Sequence, residues 1–532
     1  MTAEPFSPEE QDALRPYFTN LDSPVFAIVN LPEVVKGALF ARYSRSPKTV
    51  RRLFLDEFLP EMEREATIPQ ISTAGTERAE QLYARVLSDY GDDSVAQLGG
   101  VHLACEGASN ILTKVLERGR LMAYLEQSTR YVAYTDRAGE RWRYHVPAEL
   151  DGSPLRDTFI SVLDRAFAVY SLWIPIVEEH FRSHVPKAPG DSNFVYRQSI
   201  KAKALDTLRG LLPAATQSNV GLYGTGQAYE ALLMRMRASG LSEVQEYAAP
   251  MLTELRKVIP AFLARVDQPS RGEPWSEYMA ETQAESGKVA QRLLGAIEPA
   301  SDAEVMLTDF DPDGELKVIA AALYAVSSLA DDQLLAAVRS MGDRERTEIL
   351  RAYVGRRENR RHKPGRAFER TSYRFDILTD YGAYRDLQRH RLLTLEAQQL
   401  TPHHGYALPE AVEEVGAADD YREVMDLTAQ LYHQLSDSGF EVIASYAVPM
   451  AYRIRFYMDM NAREAMHVIE LRTSPQGHPS YRRVCQEMHR LIREQAGHRA
   501  LAEAMSFVDY SEVELERLQS ERASERKRLA LG

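Results

Sequence analysis

Two short clusters in the sequence combine residue types that can hold an anion. The first, Glu126-Gln-Ser-Thr-Arg-Tyr131, follows closely on Arg118-Gly-Arg120. Read as a strand, it places Glu126, Ser128 and Arg130 on one face. That face offers a carboxylate, a hydroxyl and a guanidinium, and a guanidinium can bind phosphate through two parallel charge-assisted hydrogen bonds. The second cluster runs Asn461-Ala-Arg-Glu-Ala-Met-His-Val-Ile-Glu-Leu-Arg472. Asn461 with Glu464 three residues on has the pattern of a helix start. On that helix Arg463 and His467 lie one turn apart, whereas Arg472 points about half a revolution away from Arg463. One helix can then present Arg463 and His467 to one ligand and Arg472 to another. Each cluster also has a bland counterpart: a local Glu126–Arg130 pair on an exposed strand, and an amphipathic helix with solvated basic residues.

Other candidates are weaker. Gly221, Gly224 and Gly226 read as a glycine-rich turn without the strand–GxGxxG–helix context of a dinucleotide site. His403-His404 lacks the spacing and the third ligand of a zinc site, so no metal is expected. Cys105 and Cys485 stand far apart, frame no disulfide scaffold or CxxC motif, and fit a reducing cytoplasm.

The elements that must position these clusters are mostly helical. Amphipathic periodicity predicts helices near 35–42, 79–87, 155–181, 243–262, 420–434 and 481–495. The stretch 266–315, rich in Pro, Gly and acidic residues, reads as a boundary, partly helical and partly linker. The densely charged 511–532 reads as a solvated terminal helix. Landmarks before the boundary recur after it in the same order. Strand-like Gly100–Glu106, a helix and Arg118-Gly-Arg120 are echoed by Ser372–Leu378, a helix and Arg389-His390-Arg391. Ala38–Ser44 is echoed by Ala322–Ser328, and Gly210-Leu-Leu-Pro213 with its following helix by Tyr446-Ala-Val-Pro449. The pattern is that of a diverged tandem duplication.

Composition bounds the function. Apolar residues at 44% and charged residues at 27% belong to an ordinary globular protein. The 64 Lys and Arg against 77 Asp and Glu leave a formal net charge of −13. Such a surface repels phosphate backbones, which argues against general nucleic-acid binding. The N-terminus has no signal-peptide pattern, and the apolar stretch from Val318 is too short for a bilayer span. A cytoplasmic protein with no membrane partner is expected.

With both clusters in view, the sequence resembles the flavin-dependent thymidylate synthases, the ThyX family, in two fused copies. The family signature RHRxxSxNExSxRY is matched in copy one at Arg118, Arg120, Glu126, Ser128, Arg130 and Tyr131, with departures at Gly119, Ala123 and Leu125. Upstream, only Ser94 fits the family's His-x-Ser/Thr-x-x-Glu pattern. In copy two Arg389-His390-Arg391 is intact, while Thr401-Pro402 stands where Arg-Tyr is expected. Asn461, Arg463, His467 and Arg472 fit the family's later N-x-R and LR segment, where copy one has Thr225, Gln227, Ala231 and Met236. Arg209, before Leu-Leu-Pro, matches another nucleotide-binding arginine.

The resemblance implies an α+β, helix-rich fold of two ThyX-like domains, each a small sheet packed with helices. The expected boundaries are 1–265 for copy one, 266–315 for the linker, 316–510 for copy two and 511–532 for the tail. It implies reductive methylation of dUMP to dTMP, with FAD as cofactor and methylenetetrahydrofolate and NADPH as co-substrates. Arg472 would be catalytic. Glu126, Gln127, Ser128, Arg130 and Arg209 would bind substrate. Ser94, Arg118, Arg120, Arg389, His390, Arg391, Asn461, Arg463 and His467 would hold FAD. Because the losses in the two copies are complementary, one site assembled from both is expected, in a homodimer that imitates the family's tetramer. The alternatives are a non-catalytic flavin- or nucleotide-binding protein and a flavoenzyme acting on another pyrimidine nucleotide.

Overall fold

The computed structural model describes residues 4–64, 97, 99–139, 141–297, 303–513 and 515–531. The helix expected at 79–87 and the candidate Ser94 lie outside them. Two four-stranded antiparallel sheets carry the fold. The first contains β1 (Val25–Ile28), β2 (Gly100–Ser109) and β3 (Met122–Glu126). A small hairpin of β4 (Arg137–Ala138) and β5 (Arg141–Trp142) follows, and β6 (Gln217–Thr225) returns to the sheet. The second contains β7 (Val305–Phe310), β8 (Ser372–Asp380), β9 (Thr394–Ala397) and β10 (Arg453–Asn461).

The strand orders are β1-β2-β6-β3 and β7-β8-β10-β9, the same topology used twice. The caps repeat as well. β2 ends at Ser109, whose side chain accepts from Leu112 N, and β8 ends at Asp380, whose side chain accepts from Ala383 N. β6 ends at Thr225 and β10 at Asn461, each capping the next helix through its side chain. Each cap satisfies one of the otherwise unpaired N–H groups of a first helical turn. The duplication read from sequence landmarks is therefore present as a repeated strand–helix framework.

Alternation makes each sheet a layer. Along β10, Ile454, Phe456, Met458 and Met460 are buried while Arg453, Arg455, Tyr457 and Asp459 are partly exposed. In the first sheet both faces are covered. Val101, Leu103, Val220 and Leu222 pack with Leu232, Leu233 and Met236 of the helix Gly226–Arg237. Phe26, Ile28 and Ala104 pack with Leu39, Phe40 and Tyr43 of Glu33–Tyr43. Gly221 and Gly224 lie in β6 rather than in a turn. A Cβ on Gly221 would come within 2.8 Å of the Phe40 ring, so the glycine permits close packing.

The chain forms two compact units. Unit 1 comprises Met1–Ser171, Leu212–Pro299 and Arg422–Val448; unit 2 comprises Leu172–Leu211, Ala300–Tyr421 and Pro449–Gly532. Each unit thus takes a helical segment from the other half of the sequence, an exchange the expected boundaries did not contain. The stretch 266–315 carries the helix Gly272–Leu294 and β7, an edge strand of the second sheet, so that sheet begins before residue 316. The tail also differs from the solvated helix expected. Arg522 forms a two-pronged pair with Asp191, and buried Glu516 accepts from Lys203 at 2.6 Å. The helix Leu155–His184 alone among the described residues is long and apolar enough to cross a membrane. Its Phe159, Leu163, Phe167 and Tyr170 are buried at helical spacing, as in a core helix.

Candidate functional site

In unit 2, β8 hands the chain to the helix Tyr381–Leu387, and Asp386 with Arg389-His390-Arg391 follows at its end. The helix Ala462–Arg472 leaves the far end of neighbouring β10 and packs back over the sheet, which brings Arg472 toward Asp386. Near its C-terminus Glu470, buried, accepts two hydrogen bonds of 2.6 Å from Arg357. This pair fixes the helix, since removing one partner of a buried ion pair costs about 3–5 kcal/mol.

Three guanidiniums converge on one carboxylate. Arg209 Nη1 lies 3.6 Å from Asp386 Oδ2, Arg472 Nη1 lies 3.7 Å from Oδ1, and Arg389 donates to Oδ1. Arg472 also donates to the Asp386 backbone carbonyl and stands over the Tyr481 ring at 5.4 Å. Arg209, from the Leu172–Leu211 segment, is only 4% exposed, and its buried Nη2 has no hydrogen-bond partner. Gly382 makes room for it: a Cβ there would stand 3.2 Å from Arg209 Nε and Nη2. A buried, incompletely satisfied guanidinium beside two others has the donors that an anion can use.

His390 joins this centre to the Asn461–Arg472 helix. Its Nε2 accepts from Arg472 Nε at 2.9 Å, its Nδ1 faces Glu464 Oε1 at 3.7 Å, and its ring meets the His467 ring edge-on at 5.5 Å. Burial first, then Arg472, His467, Arg389 and Lys363, push the His390 imidazole well below its ordinary range, so it is neutral. His467 is pushed down to about 4 by burial and by Lys363, Arg360, Arg472 and Arg463. Burial pushes Glu464 up to about 7, against the pull of Lys363, Arg463 and Arg391.

His390, Glu464 and His467 bring one possible ligand atom each within 4.8 Å of one another. The polarity is nevertheless wrong for a cation. Arg472 donates to Nε2, so the proton of the neutral imidazole sits on Nδ1, the nitrogen that would have to face a metal. The surrounding Lys363, Arg360 and Arg463 repel a positive ion and attract a negative one.

The other sequence candidates fall as follows. Asn461 caps its helix, accepting from Glu464 N at 2.9 Å. Arg463 donates to the Pro364 carbonyl at 3.0 Å and lies 3.6 Å from Glu369. Arg391 is exposed. In unit 1 the strand ends at Glu126, so Ser128 and Arg130 occupy a turn instead of a shared strand face. Ser128 shapes that turn: Oγ accepts from Arg130 N at 3.3 Å, and its carbonyl accepts from Tyr131 N and Val132 N. Gln127 is fully buried and donates to the Ser46 carbonyl; Glu126 and Arg130 are buried. Arg118 and Arg120 are exposed. Counted from the caps, Val115, Gly119, Ala231 and Met236 stand in unit 1 where Asp386, His390, His467 and Arg472 stand in unit 2.

Sequence reasoning missed Asp386, Glu464 and Lys363. A signal for Asp386 was available, since a carboxylate three residues before Arg389 on a helix end sits within reach of it.

A duplicated α+β framework with three arginines gathered on Asp386 defines the class of protein. A family model described as "Thymidylate synthase complementing protein" matches residues 39–261 and 306–497, one segment over each sheet. The chain belongs to this family, the one that includes the flavin-dependent thymidylate synthases, as a duplicated member. It is similar to a UPF0159 protein of Chlamydia muridarum, 40% identical over 520 residues that cover 97% of this chain and 98% of the relative. A UPF0159 protein of Thermoplasma acidophilum is 30% identical over 518 residues, covering 91% and 97%. A flavin-dependent thymidylate synthase of Clostridium tetani is 25% identical over 181 residues, 34% of this chain and 67% of the relative.

Proposed function

We propose that the protein is a flavin-dependent thymidylate synthase-type enzyme that methylates C5 of dUMP, with methylenetetrahydrofolate as carbon donor. The observation that carries this reading is the buried Arg209 guanidinium, its Nη2 unpartnered, sharing Asp386 with Arg389 and Arg472. An anionic nucleotide would satisfy the open donor of Arg209; in copy one, Arg130 would serve a nucleotide phosphate. Glu126, Gln127 and Ser128 would orient the nucleotide. Arg472, held by His390 and Asp386, would stabilise negative charge developing on the pyrimidine.

The residues around His390 fit FAD: a neutral imidazole pair for a ring system, and Arg389, Arg391, Arg463 and Lys363 for a pyrophosphate. The two electrons that reduce the transferred carbon to a methyl group would come from NADPH by way of FAD. His390 and His467, both neutral, would contact the flavin without adding charge. Absorbance of the purified chain should show bound flavin, and NADPH oxidation should depend on both dUMP and methylenetetrahydrofolate. A colourless protein that binds no added FAD would overturn the flavin reading. A flavoprotein that never turns over dUMP would overturn the choice of substrate.

A further inference from the structure

In unit 1, Gly119, Ala228 and Ala231 occupy the positions that His390, Glu464 and His467 fill in unit 2. Three polar side chains are thereby replaced by two methyl groups and a hydrogen. What they would fill is open: a cavity of about 300 Å³, bordered by Met122 and Ala228 and walled by Trp275, which is 54% exposed. That volume is at the lower end of sites that take small ligands.

Arg235 lines the same cavity. Its Nε is buried without a hydrogen-bond partner, and the side chain forms no ion pair with any described residue. Its position aligns with Leu471 of unit 2, so nothing in the family motif asks for a cation here. Burial, and then the neighbouring Arg118, push its pKa down, the mark of a charge held where charge is disfavoured. The other polar side chains of the wall are Glu230, paired with Arg265, Gln227, which accepts from Gln97, and the exposed Arg120, a second cation at the cavity. Arg235 is half-buried, with its Nε out of solvent; a partly desolvated cation without a counter-ion costs stability, and an anion entering the cavity would reduce that cost. The indole and the apolar floor supply the complementary half of a site, a surface on which a flat ring is favoured over water.

We propose that this cavity of unit 1 binds a small aromatic anion: one planar ring against Trp275, carrying one carboxylate or phosphate that pairs with Arg235. The site is separate from the arginine centre of unit 2 and does not depend on the flavin reading.

Benzoate and uridine monophosphate, each titrated into the full chain and followed by ligand-observed saturation-transfer NMR, distinguish the carboxylate and phosphate sources. At least one should show a binding component that weakens about ten- to a hundredfold in Arg235→Gln, as expected for loss of a charged hydrogen bond. Arg235→Lys should restore part of it. Ala231 is exposed at the cavity wall, so Ala231→Phe should block the cavity without disturbing the core and abolish the same component. Arg235→Gln should also melt no lower than the parent chain, because it removes an uncompensated charge. If no component for either probe responds to both Arg235→Gln and Ala231→Phe, or if Arg235→Gln is strongly destabilising, the site does not exist as described.

Discussion

Arg472 and His390 are joined by a single hydrogen bond, Nε to Nε2 at 2.9 Å, and this bond decides where the imidazole proton resides. Helix phase alone separates Arg472 from Arg463 and His467. The fold reconnects them, because His390 touches Arg472 on one side and the His467 ring on the other. Arg472, His390 and His467 therefore form one chain of contacts.

Arg472→Ala should accordingly lower turnover by about a hundred- to a thousandfold, the effect of deleting one donor that strengthens in the transition state. Flavin should remain bound but more weakly, because His390 loses the donor that fixes its tautomer. Turnover number and flavin occupancy, measured on the same preparation, check this. Unchanged turnover per bound flavin would remove Arg472 from the chemistry.

Asp386→Asn tests whether the carboxylate stands in for the ligand anion. Three guanidiniums would lose their shared counter-charge, and melting temperature should fall, at a cost below the ~3–5 kcal/mol of a fully buried pair because Asp386, Arg472 and Arg389 are partly exposed. Phosphate should then bind more tightly, since no internal anion competes for Arg209, Arg389 and Arg472. The check is a phosphate-dependent rise in melting temperature that is larger in the variant than in the parent. An equal or smaller rise would mean that these arginines are purely structural.

Glu464 sets a pH dependence. Because the folded chain holds its proton up to about pH 7 while the unfolded chain releases it in the ordinary carboxylate range, its contribution to stability declines as pH rises through that window. His467, pushed down to about 4, acts oppositely: its contribution declines as pH falls from the ordinary histidine range toward 4. Glu464→Gln should remove the first slope and keep the second, so the variant gains on the parent as pH rises from about 5 to about 8. Melting curves across that range measure it, and parallel curves would place Glu464 in the ordinary range.

The two clusters were legible because their residues are close in sequence, and so was the cap Asn461; the cap Ser109 and the strand β10 were not read from the sequence. Asp386 as a meeting point was not legible. It depends on Arg209 arriving from 177 residues earlier in the sequence, which periodicity cannot report. The exchanged segments Leu172–Leu211 and Arg422–Val448 were hidden for the same reason. Ser128 was misread because Tyr131 and Val132 close a turn on its carbonyl where strand alternation was assumed. Met236 looked like a lost arginine; fully buried in the unit 1 core, it is a packing residue.

Ser128→Ala should impair the enzyme without abolishing it. Among the described residues no imidazole or amine reaches Ser128 Oγ, whose one recorded bond is from Arg130 N. A serine nucleophile needs a base to take its proton, and none is in place. Loss of the hydroxyl should loosen the turn that carries Arg130 and raise KM for dUMP more than it lowers kcat. A covalent Ser128–pyrimidine adduct detected by mass spectrometry would contradict this.

The last prediction concerns stoichiometry. Unit 2 offers a flavin two neutral histidines and a ring of cations. Unit 1 offers Gly119, Ala231, Gln227 and Met236 at the corresponding places. A flavin there would forgo the counterparts of His390, His467, Arg463 and Arg472. Each absent charged hydrogen bond would cost roughly 1.5–3 kcal/mol, and losing two or more would weaken binding by several powers of ten. The roughly 300 Å³ cavity of unit 1, with its single unpartnered Arg235, is matched to a smaller anion. One FAD per chain is therefore expected, from absorbance against protein mass after saturation and gel filtration. Met236→Ala should cost about 2–5 kcal/mol of stability as a core truncation and leave that ratio at one. Thr401→Ala, which removes only an acceptor for His403 N, should change neither the ratio nor the activity. Two flavins per chain would show that unit 1 keeps a cofactor site and that the loss of its polar side chains was not a loss of function.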